Sequence, residues 1–195
     1  MLFSKCDYIL LFSKRQIHIM TAILLTSASS ESAMKDEGTY IRILQNLHRD
    51  SIPGRWTDLT LNKAPHKPLL LLCVSDLYRQ DPQRSNLVEP TLYLEEAFDA
   101  YWHQLFENIS TSTFALPFFH LQFDGFWSLI RTNGGDVDAP IIAKTPRALR
   151  STVAHALVDS ELHELLKKPE WNQHLRSVII ASNFAPEAHY RFVVS

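Results

Sequence analysis

A mainly helical α+β fold with one small antiparallel sheet or hairpin is what this sequence predicts, and three observations carry it. Apolar residues recur at helical spacing over most of the chain. One stretch, Phe114 to Arg131, changes to an aromatic, β-prone pattern around Asp124-Gly125. Apolar residues make up 46% of the 195, with five glycines, enough to bury a core without disulfides or metals.

The elements follow in order. Ile41, Leu44 and Leu47 share a helical face, so Thr39 to Arg49 reads as a helix, closed by Ser51-Ile-Pro53-Gly54. Arg55 to Ala64 reads as loop, anchored by Trp56. Pro68 suits a first helical turn, and LLLLCVSDLYRQ after it is apolar nearly all round, as a central core helix should be. Pro82 stops that helix. Pro90 to Glu107 carries a wide stripe of Leu94, Phe98, Tyr101, Trp102 and Leu105, which leaves Glu95, Glu96 and Asp99 to solvent. The Asp124-Gly125 hairpin is expected next, then a turn at Asn133-Gly134-Gly135 and a short strand at Pro140 to Lys144. Thr145-Pro146 opens a helix to about Val158 with a capping residue followed by proline. Ser160 caps a short helix to Lys168, and Pro169 opens a last one through Ile180.

Residues 1–38 read as an N-terminal extension to a single domain over 39–195. No apolar run there reaches the ~20 residues of a membrane span. Three readings stand: a true start at Met20 or Met34, a secretory signal from Ile17 to Leu25, or an extension, ordered or disordered. Two cysteines, Cys6 and Cys73, are too few for a disulfide framework or a cysteine zinc site. Cys73 falls in the core helix and reads as a buried free thiol, which suits a reducing cytoplasm.

The formal charge of −2 gives no global argument for nucleic acid. Its distribution is uneven. Arg42 to Arg84 holds seven Lys/Arg against four Asp/Glu, and Lys144, Arg147 and Arg150 cluster again. Solvated surface is the plain explanation of such a pattern, but a local basic face also binds phosphates.

Two stretches differ from generic core. In Lys63-Ala64-Pro65-His66-Lys67-Pro68 two prolines stiffen the backbone around a His-Lys pair. That is more than a cap requires, and a helix start already favours anions. In Leu116-Pro117-Phe118-Phe119-His120-Leu121, with Asp124-Gly125-Phe126-Trp127 after it, a proline among aromatics suggests a rigid dry hollow. Phe118, Phe119, Phe126 and Trp127 read as core; Pro117 and His120 fit that reading less well.

Taken together, APHKPLLLL and PFFHLQFDGFW resemble the sulfur-binding domain of phosphorothioate-dependent, McrA-like HNH restriction endonucleases. The resemblance spans roughly Thr39 to Phe184. It implies recognition of DNA in which sulfur replaces a non-bridging phosphate oxygen, with cutting left to a separate HNH domain. It implies a sulfur pocket at His66, Lys67, Leu116 and Pro117, with His120 near the rim. Leu116 stands where the family leads one to expect an aromatic residue, and the position stays apolar. The physical logic is simple. A phosphate oxygen in an apolar hollow loses hydration, at a penalty that reaches a few kcal/mol, whereas sulfur is larger, more polarizable and less strongly hydrated. An apolar cup beside a cation therefore separates the two. Lys144, Arg147 and Arg150 read as phosphate contacts, and Arg55, Lys63 and Gln122 as further candidates for backbone or base contacts.

No complete catalytic set is visible. The nine histidines are scattered, with no His-Glu-x-x-His motif and no cysteine pair. His163 and Glu164 read as solvated helix surface. His66 and Asp124 form no pair by sequence, and Asp124 reads as a turn residue. The expectation is a DNA-binding module without catalysis, metal or cofactor. Its partners would be phosphorothioated double-stranded DNA and, in some settings, a separately encoded nuclease; a membrane is not among them. A compact nuclease and a protein-interaction module that has lost DNA binding are the alternatives.

Overall fold

The computed structural model describes residues 35–106, 113–132 and 144–192. Helix α1 (Glu37–Gln45) starts at Asp36, whose carboxylate accepts the Thr39 amide at 2.8 Å and hydroxyl at 2.6 Å. It ends at Gln45, four residues earlier than the apolar pattern suggests, so Leu47 and His48 belong to the following loop. Helix α2 (His66–Gln80) is the centre of the molecule: Lys67 through Ser75 and Tyr78 are all buried. It begins two residues before Pro68. The proline sits in the first turn, where its missing N–H has no helical partner to lose.

Helix α3 (Leu92–Leu105) is capped by the Thr91 hydroxyl on the Leu94 amide at 3.2 Å. It buries the expected stripe of Leu94, Phe98, Tyr101, Trp102 and Leu105 against α2. Helix α6 (Ser160–Leu166) has Asp159, not Ser160, at its cap and ends two residues before Lys168; α7 (Pro169–Asn183) starts at the expected proline, runs three residues past Ile180 and packs on both α1 and α2. Asn172 ties α7 to α2. It accepts the Ser75 hydroxyl at 2.6 Å and donates to the Ser75 carbonyl at 3.1 Å. A short helix α8 (Pro186–His189) and a 3-10 turn (Tyr190–Phe192) close the described chain. No helix among the described residues is long and apolar enough to cross a membrane.

Two expected elements are corrected. The aromatic stretch is not a hairpin. It forms helix α4 (Ala115–His120) and a 3-10 turn (Leu121–Asp124), and only Trp127–Arg131 is a strand, β2. Phe114, Phe118 and Leu121 share one fully buried helical face, and Pro117 falls in the first turn, where it costs no hydrogen bond. Gly125, at φ 79°, ends the 3-10 turn in a left-handed conformation instead of closing a hairpin. The second correction is α5 (Pro146–Thr152), which stops well before Val158. Val153–Val158 is strand β3.

Strand β3 lies at the middle of a three-stranded antiparallel sheet, between β1 (Leu87–Val88) and β2. Trp127 pairs with Val158 and Leu129 with Ala156, and the register shifts between Ile130 and Arg131. The turn expected at Asn133-Gly134-Gly135 and most of the strand expected at Pro140 to Lys144 lie outside the described residues. So does the N-terminal extension, apart from its last four positions, 35–38.

Candidate functional site

The head of α2 is covered by the loop after α1. The Ala64 amide donates to the Asp50 carbonyl at 2.8 Å, and a 3-10 turn (Asp58–Thr60) is held by the Thr60 hydroxyl on the Thr57 carbonyl at 3.0 Å. Leu61 and Asn62 follow at φ 53° and 55°. Asparagine tolerates this left-handed conformation, but leucine is strained there by roughly 1–2 kcal/mol. The strained pair turns the chain so that Lys63-Ala64-Pro65 leads into the helix. On the other side, α4 packs against α2.

Between these elements lies a cavity of about 490 Å³. The loop contributes His48, Asp50, Arg55 and Trp56. The helix start contributes His66 and Lys67. Helix α4 and its 3-10 extension contribute Leu116, Pro117, His120 and Phe123. The fold thus brings together His66, Lys67, Leu116, Pro117 and His120, along with Arg55. The two motifs, far apart in sequence, face one hollow.

Lys67 does not project freely from the helix start. Its side chain is 9% exposed, and its Nζ donates to Asp124 Oδ2 at 2.5 Å. Asp124 is itself 1% exposed, and its other oxygen accepts the His48 amide at 2.9 Å and the His48 ring Nδ1 at 3.1 Å. Facing a carboxylate oxygen, Nδ1 acts as the donor, and the His48 side chain is 78% exposed. By sequence Asp124 is a turn residue. In the fold it joins three segments under the cavity, and its partners are Lys67 and His48, not His66.

His66 lies between two indoles, with centroid distances of 5.1 Å to Trp56 and 5.1 Å to Trp102. Burial pushes its pKa down to about 4, with the Arg55 charge acting the same way and Asp50 against it. His66 is thus neutral at pH 7. His120, on the rim, is also shifted down, by burial first and by the Lys67 charge second. Arg55 is held by Asp50 at 3.0 Å, and the same carboxylate oxygen accepts Trp56 Nε1 at 3.2 Å. Both cations at the cavity therefore have an acidic partner. Leu116, 37% exposed, and Phe123, 56% exposed, give the rim an apolar face.

The other predicted contacts lie apart from the cavity. Gln122 Nε2 donates to the Phe119 carbonyl at 2.9 Å. Lys63, Lys144 and Arg147 are exposed. Arg150 is also exposed, but its guanidinium is paired with Glu95 at 2.8 Å. Helix α5, which carries Arg147 and Arg150, packs against α4, so this basic group adjoins the element that bears Pro117.

No family model and no curated protein matches this chain. Its chemistry has to be read from its own residues. Among those described, no group of three or more His, Cys, Asp and Glu is placed to hold a metal ion. His163 accepts or donates with the Tyr78 hydroxyl at 2.8 Å, and Glu164 pairs with Lys167 at 3.0 Å. Two smaller cavities, of about 400 and 380 Å³, flank Arg79 at the far end of α2. They border a structural network in which Arg176 donates to Asp76 at 2.9 Å, to the Tyr101 hydroxyl at 2.7 Å and to the Phe192 carbonyl at 3.3 Å.

His48, Asp50, Trp56, Phe123 and Asp124 are the site residues that the motifs missed. Trp56 was visible as an anchor. Phe123 becomes legible when Phe114 to Asp124 is read at helical period, which places Leu116, His120 and Phe123 on a different face from Phe114, Phe118 and Leu121; His48, Asp50 and Asp124 join the site only through tertiary packing.

Proposed function

We propose that this protein is a DNA-binding module that prefers phosphorothioate-modified duplexes and performs no catalysis itself. The observation that carries the reading is the convergence of His66, Lys67, Leu116, Pro117 and His120 on one cavity. The physics supports the preference. The hollow has an apolar rim, a neutral histidine and a lysine whose charge is already matched by Asp124. A hard phosphate oxygen loses hydration on entering such a place, while a sulfur gains dispersion contact with Pro117 and Leu116. Lys67 keeps donors beyond the one given to Asp124, and these remain for hydrogen bonds to the diester. Arg147 on the neighbouring helix and Lys144 just before it add sequence-independent affinity for the backbone. A buried free thiol at Cys73 suits a reducing cytoplasm as the setting.

The test compares matched duplexes with and without one phosphorothioate, titrated at stated salt because backbone affinity depends on it. Tighter binding of the modified duplex supports the proposal. Equal affinity removes the sulfur claim, and binding to neither removes the DNA claim. The last outcome favours a protein-interaction module, a reading supported by the exposed Leu116 and Phe123 beside paired charges. Chelator-sensitive cleavage of either duplex would instead favour a compact nuclease.

A further inference from the structure

We infer that Asp124 sets the preference of this cavity for sulfur over oxygen, by cancelling the charge of Lys67 from beneath; the inference rests on the proposed recognition of phosphorothioate. Asp124 does not line the cavity. It acts through Lys67, as a positioning residue whose charge matters as much as its place.

Three observations support this. Lys67 and Asp124 are both almost wholly buried and in direct contact at 2.5 Å. The second Asp124 oxygen is used by the amide and ring of His48, so the carboxylate is fixed by groups from the loop and cannot follow a ligand. The other cation lining the cavity, Arg55, is likewise matched by Asp50. The hollow as a whole is thus polar at a few points, yet balanced in charge.

Charge balance decides which anion fits. A bare buried ammonium attracts a compact, hard oxygen anion more strongly than a diffuse, soft sulfur, because Coulomb energy grows as the charges approach. With the ammonium already neutralised, that advantage of oxygen is removed. The remaining terms are the hydration lost on entry and the dispersion gained inside, and both favour sulfur. Asp124 therefore suppresses binding of ordinary DNA more than it weakens binding of modified DNA.

The experiment uses the full chain and two variants. Asp124→Asn keeps an acceptor for His48 but leaves Lys67 unmatched. Lys67→Met with Asp124→Asn removes both charges and restores a neutral floor. Affinities for the matched modified and unmodified duplexes are measured for all three proteins, with circular dichroism to verify folding. The expected result is that Asp124→Asn raises affinity for the unmodified duplex and shrinks the preference by about tenfold, equal to 1.4 kcal/mol. The double variant binds both duplexes more weakly and keeps the preference of the wild type. If the wild type discriminates and Asp124→Asn keeps the same preference, the role of Asp124 is refuted while sulfur recognition stands. If Asp124→Asn does not fold, the double variant decides: loss of preference there means that Lys67 itself selects sulfur, and the inference fails. Equal affinity in the wild type overturns sulfur recognition and this inference with it.

Discussion

Lys67→Met tests the physical core of the site through stability alone, independent of any ligand. Two ion pairs meet at the cavity, and burial separates them. In Lys67–Asp124 the side chains are 9% and 1% exposed at 2.5 Å; in Arg55–Asp50 they are 59% and 31% exposed at 3.0 Å. Removing Lys67 strands a buried carboxylate whose remaining partners are the amide and ring of His48. Breaking a buried pair in this way costs about 3–5 kcal/mol. For a protein of this size that lowers Tm by roughly 6–20 °C, at about 2–4 °C per kcal/mol. Arg55→Met breaks a solvated pair and should leave the urea midpoint nearly unchanged. Replacing both partners, as in Lys67→Met with Asp124→Asn, leaves no buried charge and should recover most of the loss. Urea denaturation at pH 7, monitored by circular dichroism, gives all three values. A Lys67→Met cost below about 1 kcal/mol, or a double variant no more stable than the single, would refute the buried-pair reasoning.

His66 is depressed to about 4 when folded and lies near 6.5 when unfolded, so the unfolded state binds the extra proton first. Stability conferred by neutral His66 is present above pH 6.5 and is lost as pH falls towards 4, by up to about 3 kcal/mol; His66→Gln should flatten that slope in urea titrations at pH 7, 5.5 and 4.5. Cys73 is 1% exposed, and burial raises its thiol pKa well above the ordinary value, so native protein at pH 8 should leave it unlabelled by iodoacetamide until urea unfolds the chain, as mass mapping would show. Pro117→Gly should lower sulfur preference, while Arg147→Ala should weaken modified and unmodified duplexes alike. Arg150→Ala should matter less than Arg147→Ala in the same titration, because Glu95 already holds Arg150.

Much of the fold was legible from the sequence by itself. The α+β class, the all-round apolar α2, the stripe of α3 and the proline start of α7 follow from local periodicity and turn chemistry, because each is a property of neighbours along the chain. The stretches that misled were those where two periods compete. Val153–Val158 lengthens a helix or makes a strand with equal local ease; pairing with Leu87–Val88 on one side and Trp127–Arg131 on the other decides for the strand. Phe114 to Asp124 carries β-prone residues, yet burial of Phe114, Phe118 and Leu121 on one face rewards the helix. The candidate site divides in the same way. Its two motifs, with His66, Lys67, Pro117 and His120, were visible as residue types set in stiffened backbone. Their meeting in one hollow, and the charge partners of the two cations, were not. Asp124 closes on Lys67 from 57 positions away, and His48 meets Asp124 from 76. Such contacts arise only when α4 and the loop after α1 pack on the head of α2, and burial then turns a turn-forming aspartate into the counter-charge of the site.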